Sequence, residues 1–322
     1  MHAPLTDADI AQRDLVADEV RVAISACGIC HSDAHYRAGV GHIALPRTLG
    51  HEIAGVVANV GCDVSGWRAG ERVAVHYLLS CGTCERCVRY GEQFCSSGQM
   101  IGKERDGGYA ESIVVPARNL VAVPDNVALD VAAVMMCSTA TAYHALRLAE
   151  MTAGAAILVL GFGGLGFSAL QLGKMLGAER VGVVDIVPEK LALARDHGAV
   201  TTDVLDARYD IALDFVGKPA LTIAALRALA PGGRLLLVAL SEAPLDFNPY
   251  RDVLAHERRI VGSSDHTKEE LIELMTFAGD GRLDIAPVIS RRIARDAAAI
   301  NATLDDLDRG TASFRTVIST GG

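Results

Sequence analysis

Residues 156–160, Ala-Ile-Leu-Val-Leu, run into Gly161-Phe162-Gly163-Gly164-Leu165-Gly166 and then into a helical pattern. An apolar run of strand length, a G-x-G-x-x-G turn and a helix together read as one strand–turn–helix unit of a parallel sheet. The same alternation continues, with strands expected at 180–184, 210–216 and 234–239 and helices at 163–176, 188–197 and 219–230. Strands alternating with helices of this length predict a doubly wound parallel sheet. An Ala-rich helix is expected at 130–150, and two further helices at 268–279 and 296–308. The first ~125 residues have another texture: short β runs at 20–25, 53–60, 72–75 and 112–115, broken by Gly and Pro. A chain of 322 residues has room for two domains, and the change of texture marks where they meet.

The turn suits a dinucleotide. Gly161 makes the tight bend, Gly163 lets the backbone approach a pyrophosphate, and Gly166 lets the helix lie close to the strand. Gly164 and Leu165 open that helix, whose N-terminus offers free N–H groups to phosphates. The next strand ends at Asp185, about 20 residues on, where a carboxylate accepts from ribose hydroxyls and repels a 2′-phosphate. NAD is therefore favoured over NADP, with Lys190 in reach of the same ribose; the bland alternative is that Asp185 only caps the following helix.

Four of the eight cysteines fall in Cys81-x2-Cys84-x2-Cys87-x7-Cys95. Thiolates this close along a glycine-punctuated loop can converge on one tetrahedral Zn²⁺. Two disulfides or a redox pair are the competing readings. No apolar signal segment opens the chain, so a reducing, cytoplasmic setting is expected, and thiols there hold metal more often than they pair. The net charge of −9 argues against nucleic acid, and no run of about twenty apolar residues indicates a membrane span.

A second group of ligand-type residues is scattered. Cys27-Gly-Ile-Cys30-His31-Ser32-Asp33-Ala-His35 is followed by Gly50-His51-Glu52 and, far downstream, by Cys137. Singly these are ordinary; together they offer two thiols and an imidazole, the three-ligand pattern that leaves a zinc with an open position.

These segments, with Asp106-Gly-Gly-Tyr-Ala-Glu111, the residues Tyr143–Leu146 downstream of Cys137 and the glycine loop, occur in the order of the zinc-dependent medium-chain alcohol dehydrogenases, which the chain resembles over nearly its whole length. The resemblance implies a GroES-like β-rich catalytic domain at 1–138, rejoined by 265–322, and a Rossmann NAD-binding domain at 139–264. It implies two Zn²⁺ per chain: Cys30, His51 and Cys137 as ligands of a catalytic ion, and Cys81, Cys84, Cys87 and Cys95 as ligands of a structural one. Asp33 matches the carboxylate that orients the ligating histidine, and Glu52 the acid behind the metal. Ser32 and His35 match the proton relay from substrate oxygen to solvent, while His31 and, less specifically, Arg315 match phosphate contacts. It implies a small-molecule alcohol and its aldehyde or ketone as substrates, NAD as cofactor, and a homodimer or homotetramer. Cys27 and Cys62 are left to packing.

A carbonyl reductase of the same family is the runner-up, and a non-catalytic NAD-binding protein on this fold a distant third, since such a protein is expected to have lost a ligand or relay residue. The chain departs from the family in a short N-terminal approach to its first strand, in a connection of only about ten residues between 199 and 210, and at His76, where many microbial relatives carry an aromatic residue facing the substrate.

Overall fold

The computed structural model describes residues 4–41, 43–202, 208–311 and 314–319. The chain forms two compact units, residues 1–137 with 267–282 and 289–322, and residues 138–266 with 283–288.

The first unit is built on a seven-stranded, mostly antiparallel sheet. Its hub is the strand Glu19–Ile29, which pairs along one side with Glu52–Val60 and along the other with Ser112–Pro116 and then Arg315–Ser319. Ile289–Ile293 adds to Arg315–Ser319 in parallel; Arg72–Val75 and Leu120–Ala122 extend the opposite side. The apolar face follows the two-residue period of a strand: Val20, Val22, Ile53, Val57, Val73 and Val75 are each at most 1% exposed. Complete burial of a valine or isoleucine side chain is worth about 1.5–3 kcal/mol, so this face dominates the stability of the sheet.

The register also decides where the chemistry lies. Gly28 pairs with Glu52 and with Val317, and Ile29 with Thr316. Antiparallel pairing therefore brings the end of the first strand, the start of the second and the start of the last to one edge, with Cys30, His51 and Arg315 on it. The sequence gives no hint of the helix His31–Arg37, seven residues that begin directly at this edge. The helix expected at 130–150 is interrupted: Leu129–Val134 and Ala140–Leu148 are α-helical, and Met135–Thr139 between them is a π-helical turn. A π turn inserts one extra residue per turn, a change of pitch that periodicity does not reveal, and it carries Cys137.

In the second unit six parallel strands lie in the order Val200–Thr201, Arg180–Val184, Ala156–Leu160, Tyr209–Asp214, Leu229–Leu237, Arg259–Gly262. Ala156–Leu160 is central and buried throughout, in line with its unbroken apolar sequence, and the middle of Arg180–Val184 beside it is buried as well. The strand expected from 234 starts at Leu229, although its ladder to Arg259–Gly262 does begin at Arg234. Arg259–Gly262 itself was not legible, being four residues led by arginines. The short 199–210 connection retains the two-residue strand Val200–Thr201; its middle, 203–207, lies outside the described residues. Described residues ahead of Glu19 contain no strand. No helix among the described residues is long and apolar enough to cross a membrane.

Candidate active site and metal centres

Cys30, His51, Glu52 and Cys137 meet at the edge of the first sheet, each offering one donor atom, all within 4.8 Å of one another. The Cys30 and Cys137 sulfurs are 4.0 Å apart. Bonds of about 2.3 Å to a tetrahedral zinc set a sulfur–sulfur edge of about 3.8 Å, so the pair fits the ion and is far from disulfide length. His51 is fully buried; its Nδ1 lies 3.3 Å from Asp33 Oδ1, and its Nε2 has no hydrogen-bond partner. One ring nitrogen oriented by a carboxylate and the other left open is how a metal-binding histidine is held.

The charges are arranged to match. The neighbouring Cys137 thiol and His51 hold Cys30 well below the ordinary thiol range despite its burial, whereas Cys137, which keeps the shared proton, lies well above it. Burial opposes a proton on His51, but Asp33 and the Cys30 sulfur raise it well above the usual imidazole value. A cation held here would take the place of those protons. Glu52 is fully buried and pushed up to about 7 by burial, against the pull of Arg315, whose guanidinium it accepts at Oε2. Its Oε1 has no hydrogen-bond partner. Arg315, expected at a phosphate, is 7% exposed and committed to Glu52.

The His31–Arg37 helix carries four of the expected residues. Asp33, in its first turn, accepts from the Cys30 N–H at 2.9 Å. The Cys30 thiol donates to Ser32 Oγ at 3.8 Å, and His31 and His35, one turn apart, stack with centroids 4.7 Å apart. His31 is exposed and His35 half-buried. The aromatic ring that meets the site is that of Tyr77, edge-on to His51 at 5.1 Å, and not a side chain at position 76. His76 is buried with Nδ1 3.8 Å from Glu92, and burial drives its pKa down to about 3.

The other four cysteines also converge. Cys81 lies 3.9 Å from Cys87 and 3.6 Å from Cys95, and Cys84 lies 3.5 Å from Cys87, sulfur to sulfur. These edges bracket the roughly 3.8 Å of a tetrahedral zinc thiolate. The segment is not all loop: Cys84 precedes the helix Glu85–Tyr90, which carries Cys87. Backbone N–H groups of Ser96 and Cys87 hold Cys84 at about 5, those of Thr83 and Cys84 hold Cys81 at about 7, and burial with the adjacent sulfurs pushes Cys87 up to about 12. All eight cysteines are free, Cys27 fully buried; Cys62 is exposed in a turn, which corrects its assignment to packing.

In the second unit, Gly161 has φ +87°, and a Cβ on Gly166 would lie 2.2 Å from the Gly161 carbonyl, so the helix Gly164–Met175 can start this close to its strand only without a side chain there. Around Gly163 a Cβ would meet nothing within 4 Å: that face is open. The Asp185 carboxylate accepts from Phe162 N–H at 2.7 Å and Val187 N–H at 2.9 Å, tying the strand end to the glycine turn. Lys190 stands half-buried on the helix Pro188–Asp196.

Sequence reading missed Tyr109, whose hydroxyl donates to Asp33 Oδ2 at 2.9 Å. Its motif was visible, but its partner lies 76 residues away.

Comparison with known proteins agrees with this geometry. The alcohol dehydrogenase GroES-like domain matches residues 16–125, and the zinc-binding dehydrogenase domain matches residues 164–279. An alcohol dehydrogenase of Geobacillus stearothermophilus is 33% identical over 299 residues, 87% of either chain. The alcohol dehydrogenase TADH from Thermus sp. ATN1 has a TM-score of 0.90 at 25% identity, covering 97% of this chain and 95% of its own. The acetophenone reductase of Geotrichum candidum, solved in complex with NAD, has a TM-score of 0.87 at 30% identity, covering 97% and 92%. On motif, fold and similarity alike, the chain belongs to the zinc-dependent medium-chain dehydrogenase family.

Proposed function

We propose that the chain is an NAD-dependent zinc alcohol dehydrogenase that interconverts an alcohol and its aldehyde or ketone, with one zinc held by Cys30, His51 and Cys137 and a second by Cys81, Cys84, Cys87 and Cys95. The observation that carries this reading is the buried meeting of two thiols and an imidazole whose outer nitrogen faces a carboxylate. When bound, the zinc supplies Lewis-acid polarisation of a substrate oxygen, and the nicotinamide exchanges the hydride.

The chain's own residues do the rest. Asp33 holds His51 in the tautomer that carries its proton on Nδ1 and presents Nε2 to the ion. Ser32, beside the Cys30 sulfur, is placed to take the proton of an alcohol bound there. His35, half-buried one turn along the helix and stacked on the exposed His31, carries that proton toward solvent. Glu52 and Arg315 balance charge behind the ion. Asp185 supports NAD over NADP, because a carboxylate at the ribose repels a second phosphate.

The test is a zinc count joined to an assay of alcohols with NAD at 340 nm. The wild-type chain is expected to carry two zincs and to reduce NAD. Cys30→Ala is expected to carry one and to be inactive; full activity in that variant refutes the assignment.

A further inference from the structure

The Asp-Gly-Gly-Tyr segment has no part in the chemistry above, yet it braces the loop that delivers His51. Asp106 Oδ1 accepts from Thr48 N–H at 3.0 Å. Gly107 N–H donates to Thr48 O at 2.8 Å, Gly108 N–H to Gly50 O at 2.7 Å, and Tyr109 N–H to Leu49 O at 2.9 Å. Every residue from Thr48 to Gly50 is therefore fixed by the 106–109 segment, and His51 follows directly.

The approach is too close for other residue types. A Cβ on Gly107 would lie 2.2 Å from the Gly50 carbonyl, and one on Gly50, itself at φ +95°, would lie 2.4 Å from the Tyr109 ring. The ring thus fills the space beside the glycine that precedes His51, and its hydroxyl reaches Asp33.

Asp33 is fully buried and accepts four hydrogen bonds. Oδ1 takes Gly50 N–H and His51 Nδ1, both at 3.3 Å; Oδ2 takes Cys30 N–H and the Tyr109 hydroxyl, both at 2.9 Å. One carboxylate thus orients two of the three metal ligands, His51 by its ring and Cys30 by its backbone. The Tyr109 hydroxyl is the one donor in this set that belongs neither to a ligand nor to a residue next to one.

We propose that Tyr109 is a positioning residue of the metal centre: by fixing Asp33 Oδ2, it sets the orientation in which Cys30 and His51 present their donor atoms to a zinc. The inference rests on the zinc reading of Cys30, His51 and Cys137 given above. Losing one partner behind a metal ligand costs 10–100-fold in metal affinity. Tyr109 acts through Asp33, which still accepts from Cys30 N–H, so the low end of that range is expected.

The experiment is Tyr109→Phe, which removes the hydroxyl and keeps the ring that fills the space over Gly50. Zinc retention is measured against a chelator, site by site, with the four-cysteine zinc of the same chain as an internal control of folding. The visible d–d bands of the cobalt-substituted protein report ligand geometry. Expected is about a tenfold faster or weaker-held loss of the Cys30 zinc, altered cobalt bands, an unchanged four-cysteine zinc, and activity that excess zinc restores with KM for NAD unchanged. Wild-type affinity and spectrum in Tyr109→Phe overturn the proposal. So does equal weakening of both zincs, which marks a loss of general stability instead. If wild-type protein carries no zinc that Cys30→Ala removes, the zinc reading itself fails and takes the proposal with it, and the zinc content of those two proteins identifies that case.

Discussion

Glu52 makes the metal-free protein pH-sensitive in a direction opposite to most carboxylates. Burial raises its pKa from 4.5 to about 7, even with Arg315 as partner. An acid whose pKa is higher in the fold than in the unfolded chain stabilises the fold below the unfolded value, and that contribution disappears as pH rises through the folded one. At ~1.36 kcal/mol per pH unit, the gap amounts to about 3 kcal/mol, lost between roughly pH 4.5 and pH 7. The perturbation is Glu52→Gln, which keeps the shape and removes the titration. Its cost through the orphaned Arg315 is the same at every pH and cancels in a comparison across pH. Urea unfolding of both proteins after identical zinc removal is expected to show the variant gaining about 2–3 kcal/mol on the wild type between pH 5 and pH 8. With zinc present the gain is expected to shrink, because a cation beside Glu52 stabilises its ionised form. A stability difference that stays flat from pH 5 to pH 8 in the zinc-free proteins refutes the reasoning.

Two further substitutions separate the remaining parts. Cys87→Ser removes a thiolate from the four-cysteine site and is expected to cut zinc content from two per chain to one and to lower Tm, while the remaining folded protein keeps its turnover number; a variant still holding two zincs contradicts that ligand set. Asp185→Ser removes the carboxylate at the end of Arg180–Val184 and is expected to narrow the preference for NAD over NADP by about tenfold or more, ~1.4 kcal/mol, read as the ratio of kcat/KM values. An unchanged ratio would leave Asp185 with only its two backbone hydrogen bonds to explain it.

What could be read from the chain follows the range of the forces involved. Ala156–Leu160 stands where its apolar run places it, because burial on both faces of a parallel strand calls for an apolar side chain at every position. Helix Lys268–Gly279 begins after Thr267 with a capping box to Glu270, a signal written within four residues. The four-cysteine spacing is equally local. Three features were illegible because their causes are distant. The π turn at Met135–Thr139 lies inside an Ala-rich run that satisfies a helix at every position. The strand Arg315–Ser319 pairs with Glu19–Ile29, nearly 300 residues earlier, and Ile289–Ile293 in turn pairs with Arg315–Ser319. Tyr109 is one aromatic among many until its hydroxyl meets Asp33.

The two metal sites differ in how much chain each encloses. Cys81 and Cys95 are 14 residues apart, whereas Cys30 and Cys137 are 107 apart. The smaller ring lies wholly inside the larger, since residues 81–95 fall between 30 and 137. Bringing the ends of the larger ring together costs about 2 kcal/mol more in chain entropy than closing the smaller, by the logarithmic dependence on length. The inner site can therefore assemble in a chain that is still largely open. The outer one needs the sheet edge already in register, with Glu52 opposite Gly28 and the π turn in place. If both sites hold zinc as proposed, chain closure gives the two ions an order: the four-cysteine site can fill early, and the Cys30 site waits until the fold around it is finished.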